Sequence, residues 1–152
     1  MKKNSFVDTN NSVSRPDGKY ARVINEIAEH GVCPFCEENL SKYHKNPVEE
    51  RKFWWVTDNM YPYTPTLHHR LIIHKKHIEH YSELSSEAKA ELDQIFQDEM
   101  TKQNIDGGAL VMRFGTTKYT GASVIHLHCH IVQSNPDDRS YDKSKGVIMR
   151  IG

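Results

Sequence analysis

The chain has 152 residues, with 20 Lys+Arg against 20 Asp+Glu and a formal net charge of zero. That length suits one domain with a real core, and the charge balance excludes the basic excess of a non-specific nucleic-acid binder. No run of 18 apolar residues exists, so no membrane-spanning helix is expected; the start, MKKNSFVDTNNSVS, has no apolar secretory segment, and a cytoplasmic location is the expectation.

Residues 1–15 are polar and predict a flexible N-terminal arm, leaving 16–152 as a single domain. Tyr20, Val23, Ile24, Ile27 and Ala28 fall at helical spacing over 19–30, and Gly31 suits the helix end. The turn Cys33-Pro34-Phe35-Cys36 and a polar connector, 37–51, come next. Phe53–Thr57 predicts a strand, in which Trp54 and Trp55 face opposite ways, one into the core and the other toward a partner or a base. Two prolines make 59–65 an irregular, rigid loop. His69–His74, with Leu71-Ile72-Ile73, predicts a short buried strand. Ser85 or Ser86 caps a helix over 85–103 whose stripe is Leu84, Ala88, Leu92, Ile95, Phe96 and Met100. A strand at 109–114, a Gly/Thr loop at 115–121 and a strand at 124–132 follow. A polar loop, 134–146, leads to an expected last strand, Val147–Ile151. The sum is an α+β domain with an antiparallel sheet of about five strands and two helices.

The most informative stretch is His126-Leu127-His128-Cys129-His130, set between Val124-Ile125 and Ile131-Val132. Alternate histidines on a strand share one face, spaced roughly 6.5–7 Å apart. Three along a flat strand cannot all reach one metal, so a division of labour fits better: the middle ring faces a substrate and the outer rings orient it or touch what it attacks. A neutral imidazole is a good nucleophile at neutral pH, provided its second nitrogen keeps a proton on a fixed acceptor such as a backbone carbonyl. The lead-in Gly121-Ala122-Ser123 offers small residues, backbone N–H groups and a hydroxyl, which suit a phosphate. Three cysteines, Cys33, Cys36 and Cys129, are too few for a disulfide scaffold, and the Cys33–Cys36 spacing favours a metal or redox role.

The segment from Gly121 to Val132 resembles the His-φ-His-φ-His-φ-φ signature of the histidine triad family, with its Gly-x-Ser lead-in. Asn59–Tyr63 and Leu71–His77 resemble that family's nucleotide-binding loop and following strand, and Cys33–Cys36 resembles the Cys-x-Phe-Cys opening of many members. The resemblance implies that His128 attacks the α-phosphorus of a nucleotide conjugate to form a nucleotidyl-histidine. It implies that His130 contacts the phosphate or leaving group, and that Ser123 bonds near the bridging oxygen. It also implies that His69 and Gly121 line the site and that Asn59 takes the ribose position. Arg113 or Lys118 is expected to meet a phosphate. By the same resemblance, zinc would be held by Cys33, Cys36, His77 and His126 in a structural site, with His44 and His80 as substitutes. The resemblance also implies a homodimer.

Other functions compete. A nucleotide-binding module without turnover would keep the same residues. Cys-Pro-Phe-Cys also looks like a glutaredoxin-type thiol oxidoreductase site, but such a motif opens a helix after an N-terminal strand. A cupin-like metal enzyme would need more strands and no long helix at 85–103.

Overall fold

Nine consecutive residues, Thr66–His74, form the strand around which the domain is built. The computed structural model describes residues 5–12 and 18–152. In chain order the elements are α1 (Lys19–His30), α2 (Glu37–Tyr43), β1 (Val48–Glu50), β2 (Trp54–Asp58), β3 (Thr66–His74), α3 (Ser86–Lys102), β4 (Ala109–Arg113), α4 (Thr117–Thr120) and β5 (His128–Ser134). The strands form one antiparallel sheet in the order β1-β2-β3-β5-β4. The expected α+β architecture with five strands is therefore present.

Alternation along the strands divides the sheet into two chemically different faces. Trp54, Val56, Ile72, Cys129 and Ile131 point to α3 and bury against its Ala88, Leu92 and Ile95. The Trp54 indole N–H donates to the Ala88 carbonyl at 2.9 Å, which satisfies a fully buried donor. Ser85 caps α3 by accepting from the Ala88 N–H. One stripe position differs from expectation. Met100 is 37% exposed, while Glu99 is buried at 2%, because Arg70 on β3 reaches it with its Nε at 2.5 Å. The same guanidinium holds Asp58 at 2.6 Å.

The opposite face carries Leu71 and Ile73, covered by Leu40 of α2, Phe35 and Trp55. Beyond them α1 lays Ile24 and Ile27 on Val7 and Val124. α1 stops at Gly31, whose left-handed φ of 64° lets its N–H reach the Ile27 and Ala28 carbonyls.

Several expected boundaries are corrected. The triad strand begins at His128, not Val124. The backbone of 123–127 is bonded elsewhere: the Ile125 N–H donates to Phe6 O, the Asp8 N–H to Ser123 O and the Leu127 N–H to Ile78 O. Residues 5–12, expected to be part of a flexible arm, instead pack on the domain, with Val7 bridged to Val124 and 3% exposed. The remainder of that expected arm, 1–4 and 13–15, lies outside the described residues. The connector at 37–51 holds α2 and β1, and β3 begins at Thr66, ahead of the expected His69. Val147–Ile151 forms no strand. Its Arg150 carbonyl accepts from Arg113, and Ile148 and Ile151 stay exposed. No helix among the described residues is long and apolar enough to cross a membrane.

Candidate functional site

The apolar-faced end of β3 and the start of β5 lie side by side, with Leu71 opposite His130 and Ile73 opposite His128. That register puts His69, His128 and His130 on the face away from α3. All three are buried, between 4% and 6% exposed.

Fixed backbone groups decide the proton positions of these rings. His128 donates its Nδ1–H to the His126 carbonyl at 2.6 Å, which leaves its Nε2 with a lone pair. Burial pushes its pKa down to about 4, Arg113 adding to the effect, so the ring is neutral at neutral pH. The Tyr63 backbone N–H donates to His69 Nδ1 at 3.0 Å, so His69 carries its proton on Nε2. His69 Nε2–H then donates to His130 Nδ1 at 2.9 Å, and His130 keeps its proton on Nε2. Tyr63 stacks on His69 with ring centroids 4.6 Å apart, which fixes that relay in place.

His126 turns away from this group. Its Nε2–H donates to the His74 carbonyl at 2.6 Å, so Nδ1 presents a lone pair toward the cysteines. Cys33 Sγ lies 3.3 Å and Cys36 Sγ 3.9 Å from that Nδ1, and Cys36 Sγ lies 3.5 Å from His77 Nδ1. The four donor atoms all fall within 4.8 Å of one another. Tetrahedral zinc with two sulfur and two nitrogen ligands has edges of about 3.3–3.8 Å, so this donor set fits in type and size. Burial pushes the Cys33 thiol up to about 12 and raises Cys36 as well. A redox-active cysteine needs the reverse shift, and burial here works against the oxidoreductase reading. His44 and His80 lie outside this cluster: His44 bonds Thr57, and His80 caps the 3₁₀ turn at Tyr81–Glu83. Phe35, inside the cysteine turn, meets the His128 ring edge-on with centroids 5.1 Å apart.

A cleft of about 440 Å³ opens over His128 and His130. Its apolar lining is Val23, Ile24 and Ile27 of α1 with Phe35 and Leu71. Its polar lining includes Ser123, Arg113, the two histidines, Asn59 and Gly121. Asn59 accepts the Tyr61 N–H on Oδ1 at 2.8 Å, and its amide nitrogen lies 3.3 Å from His69 Nε2. Arg113 is engaged with protein groups: it donates to the carbonyls of Gly121 at 2.9 Å and Arg150 at 2.8 Å, and to the Tyr63 hydroxyl at 3.3 Å. A Cβ at Gly121, where φ is +66°, would stand 3.1 Å from the Arg150 carbonyl. Sequence reasoning missed two supports of this site. The C-terminal segment, including Lys145, Ile148 and Arg150, forms part of the cleft wall. Asn11, from the expected arm, donates to the Ala122 and Thr117 carbonyls and steadies the loop that presents Ser123.

A family model described as scavenger mRNA decapping enzyme C-term binding matches residues 32–145. Those residues include the cysteine turn, the relay and the whole His-x-His-x-His run. The chain belongs to this family of histidine triad proteins. A solved structure described as a HIT-like protein is similar, with 21% identity and a TM-score of 0.56 over 68% of this chain and 100% of that one. A HIT family hydrolase from Clostridium thermocellum aligns at 22% identity and a TM-score of 0.52, covering 73% and 96%. A hypothetical histidine triad nucleotide-binding protein from Sulfolobus tokodaii aligns at 24% and 0.52, covering 68% and 73%. At these identities the structures establish a shared histidine triad fold. Comparison with curated proteins finds no match.

Proposed function

We propose that this histidine triad protein is a nucleotide hydrolase or nucleotidyltransferase acting on the α-phosphate of a nucleotide conjugate. Dinucleoside polyphosphates, nucleotide phosphoramidates and nucleotide sugars are the substrate classes, and the decapping enzyme in the family description puts the first foremost. The hydrogen bond from His128 Nδ1–H to the His126 carbonyl carries the reading, because it points an unprotonated Nε2 outward from a buried, neutral ring.

In the first step the Nε2 lone pair forms an N–P bond, and the P–O or P–N bond to the leaving group breaks with its electron pair. His130 Nε2–H, aligned by the relay from Tyr63 through His69, donates toward the phosphate or the departing atom. Ser123 and the backbone around Gly121 receive the phosphate oxygens. Arg113 contributes positive charge beside His128, although its guanidinium is already bonded to backbone carbonyls. In the second step water attacks phosphorus and gives up a proton to solvent, the N–P bond breaks, and its electrons return to Nε2. The apolar lining of the cleft takes the base, and Asn59 meets a ribose hydroxyl.

Cys33, Cys36, His77 and His126 would hold a zinc ion as a closed, structural site. Bound there, zinc would supply fixed geometry: it would pin the cysteine turn and Phe35 to the residue whose carbonyl orients His128. Thiolate ligands suit a reducing, cytoplasmic setting. Two copies would pair along the edge of β4, where Leu110 and the following Phe114 are about half exposed; β1, the other edge, is short and carries Glu49 and Glu50.

The test is to incubate the protein with α-labelled members of each substrate class, quench in base and look for protein-bound label. Wild-type protein should carry label, whereas His128→Ala should carry none, turn over nothing and still bind nucleotide. A His128→Ala variant that turns over at a near-normal rate would overturn the mechanism.

A further inference from the structure

We infer that His44 reads the base of the bound nucleotide, its Nδ1 accepting a hydrogen bond from an exocyclic amine. The inference rests on the nucleotide reading of the cleft. It begins with Thr57, whose single hydroxyl proton goes to the Pro47 carbonyl at 2.7 Å. At 2.8 Å from His44 Nε2, that hydroxyl therefore has only a lone pair to offer. His44 must carry its proton on Nε2, and Nδ1 is left as an acceptor.

His44 is more than nine-tenths buried yet lines the cleft. Among the described residues Nδ1 has no partner, and it is not one of the atoms sealed from solvent. Burial also holds the imidazole below its ordinary pKa, so the lone pair persists at neutral pH.

Its position is set by the strand register. Thr57 pairs with Leu71, and Leu71 pairs with His130. His44 thus sits at the end of a row that crosses the sheet to the phosphate end. The row spans two strand spacings, roughly 10 Å, which suits the reach from an α-phosphate across a ribose to the far edge of a base. Leu71 lies between, on the cleft floor. A lone pair at that edge rewards an amine and meets a carbonyl oxygen with repulsion. One neutral hydrogen bond of this kind is worth up to about tenfold in affinity.

The experiment measures dissociation constants for three matched pairs of nucleoside monophosphates. AMP is compared with purine riboside monophosphate, GMP with IMP, and CMP with UMP. Wild-type protein should favour the amino member of at least one pair by about tenfold. His44→Leu should bring that ratio to about one. Thr57→Val, which keeps the ring but removes the group that fixes its tautomer, should shrink the ratio too and serves if the leucine variant does not fold. Binding of all members with every ratio within about twofold overturns this inference alone, as does a ratio that survives both variants. If no monophosphate binds, the nucleotide reading itself fails, and this inference with it.

Discussion

Metal uptake by the Cys33–Cys36–His77–His126 cluster should release two protons from the cysteines at pH 7. Burial holds the Cys33 thiol up at about 12 and raises Cys36, so both are protonated in the metal-free protein and must ionise to become ligands. His126 contributes none, since burial pushes it down to about 3 and it is already neutral. Protons therefore compete with the metal. Affinity should fall as pH falls, by about a hundredfold per pH unit for two protons near neutrality. Titration calorimetry with Zn²⁺ on metal-stripped protein, in buffers of different ionisation heat, counts the protons directly; Cys33→Ser should release one fewer. At free zinc of about a thousand times Kd, the fold should gain about 4 kcal/mol, raising Tm by roughly 10 °C. No proton release, or an affinity unchanged between pH 6 and 8, would refute the assignment.

Glu99→Leu strands the Arg70 guanidinium in the core with only the exposed Asp58, and should cost about 3–5 kcal/mol. The double variant Arg70→Met, Glu99→Leu should recover most of that loss with turnover intact, because both side chains lie on the face away from His128; a single-variant melt within about 2 °C of wild type refutes the estimate. Arg113→Met removes the donor that holds the Arg150 carbonyl, so limited proteolysis should trim the C-terminal segment several-fold faster and nucleotide affinity should drop. An unchanged trimming rate would show that the segment is held by other contacts. Leu110→Lys places a charge on the exposed edge of β4 and should give monomers in sedimentation equilibrium. A variant that sediments like the wild type would move the contact surface away from that edge.

Much of this architecture is legible in the residues because burial demands a pattern. The α1 stripe, the α3 cap at Ser85 and the central apolar strand each announce themselves by period. The alternate histidines point to the candidate site, and the expected backbone acceptor for His128 Nδ1 is present in the His126 carbonyl. What stayed hidden depends on backbone partners that periodicity cannot reveal. The apolar residues Val124 and Ile125 read as strand, but the Ile125 N–H and the Ser123 carbonyl are bonded to Phe6 and Asp8. α2 buries only Leu40, too little apolar spacing to betray a helix. Val147–Ile151 is apolar enough to read as a strand but pairs with none, and Ile148 and Ile151 stay exposed. His44, a lone histidine in a polar connector, gains meaning only when Thr57 is placed beside it.

The pairing of 6–8 with 123–125 has a consequence for biosynthesis. Among the earliest described residues to leave the ribosome, 6–8 have no partner until the triad itself is being translated. Closing so long a loop carries an entropic cost that nearby contacts do not, and it comes late. The nascent chain can bury α3 against β2 and β3 while the loop bearing Ser123 is still unmade. The loop that carries Ser123 in the candidate site therefore closes late, and a stalled or truncated chain would hold a partial core without it.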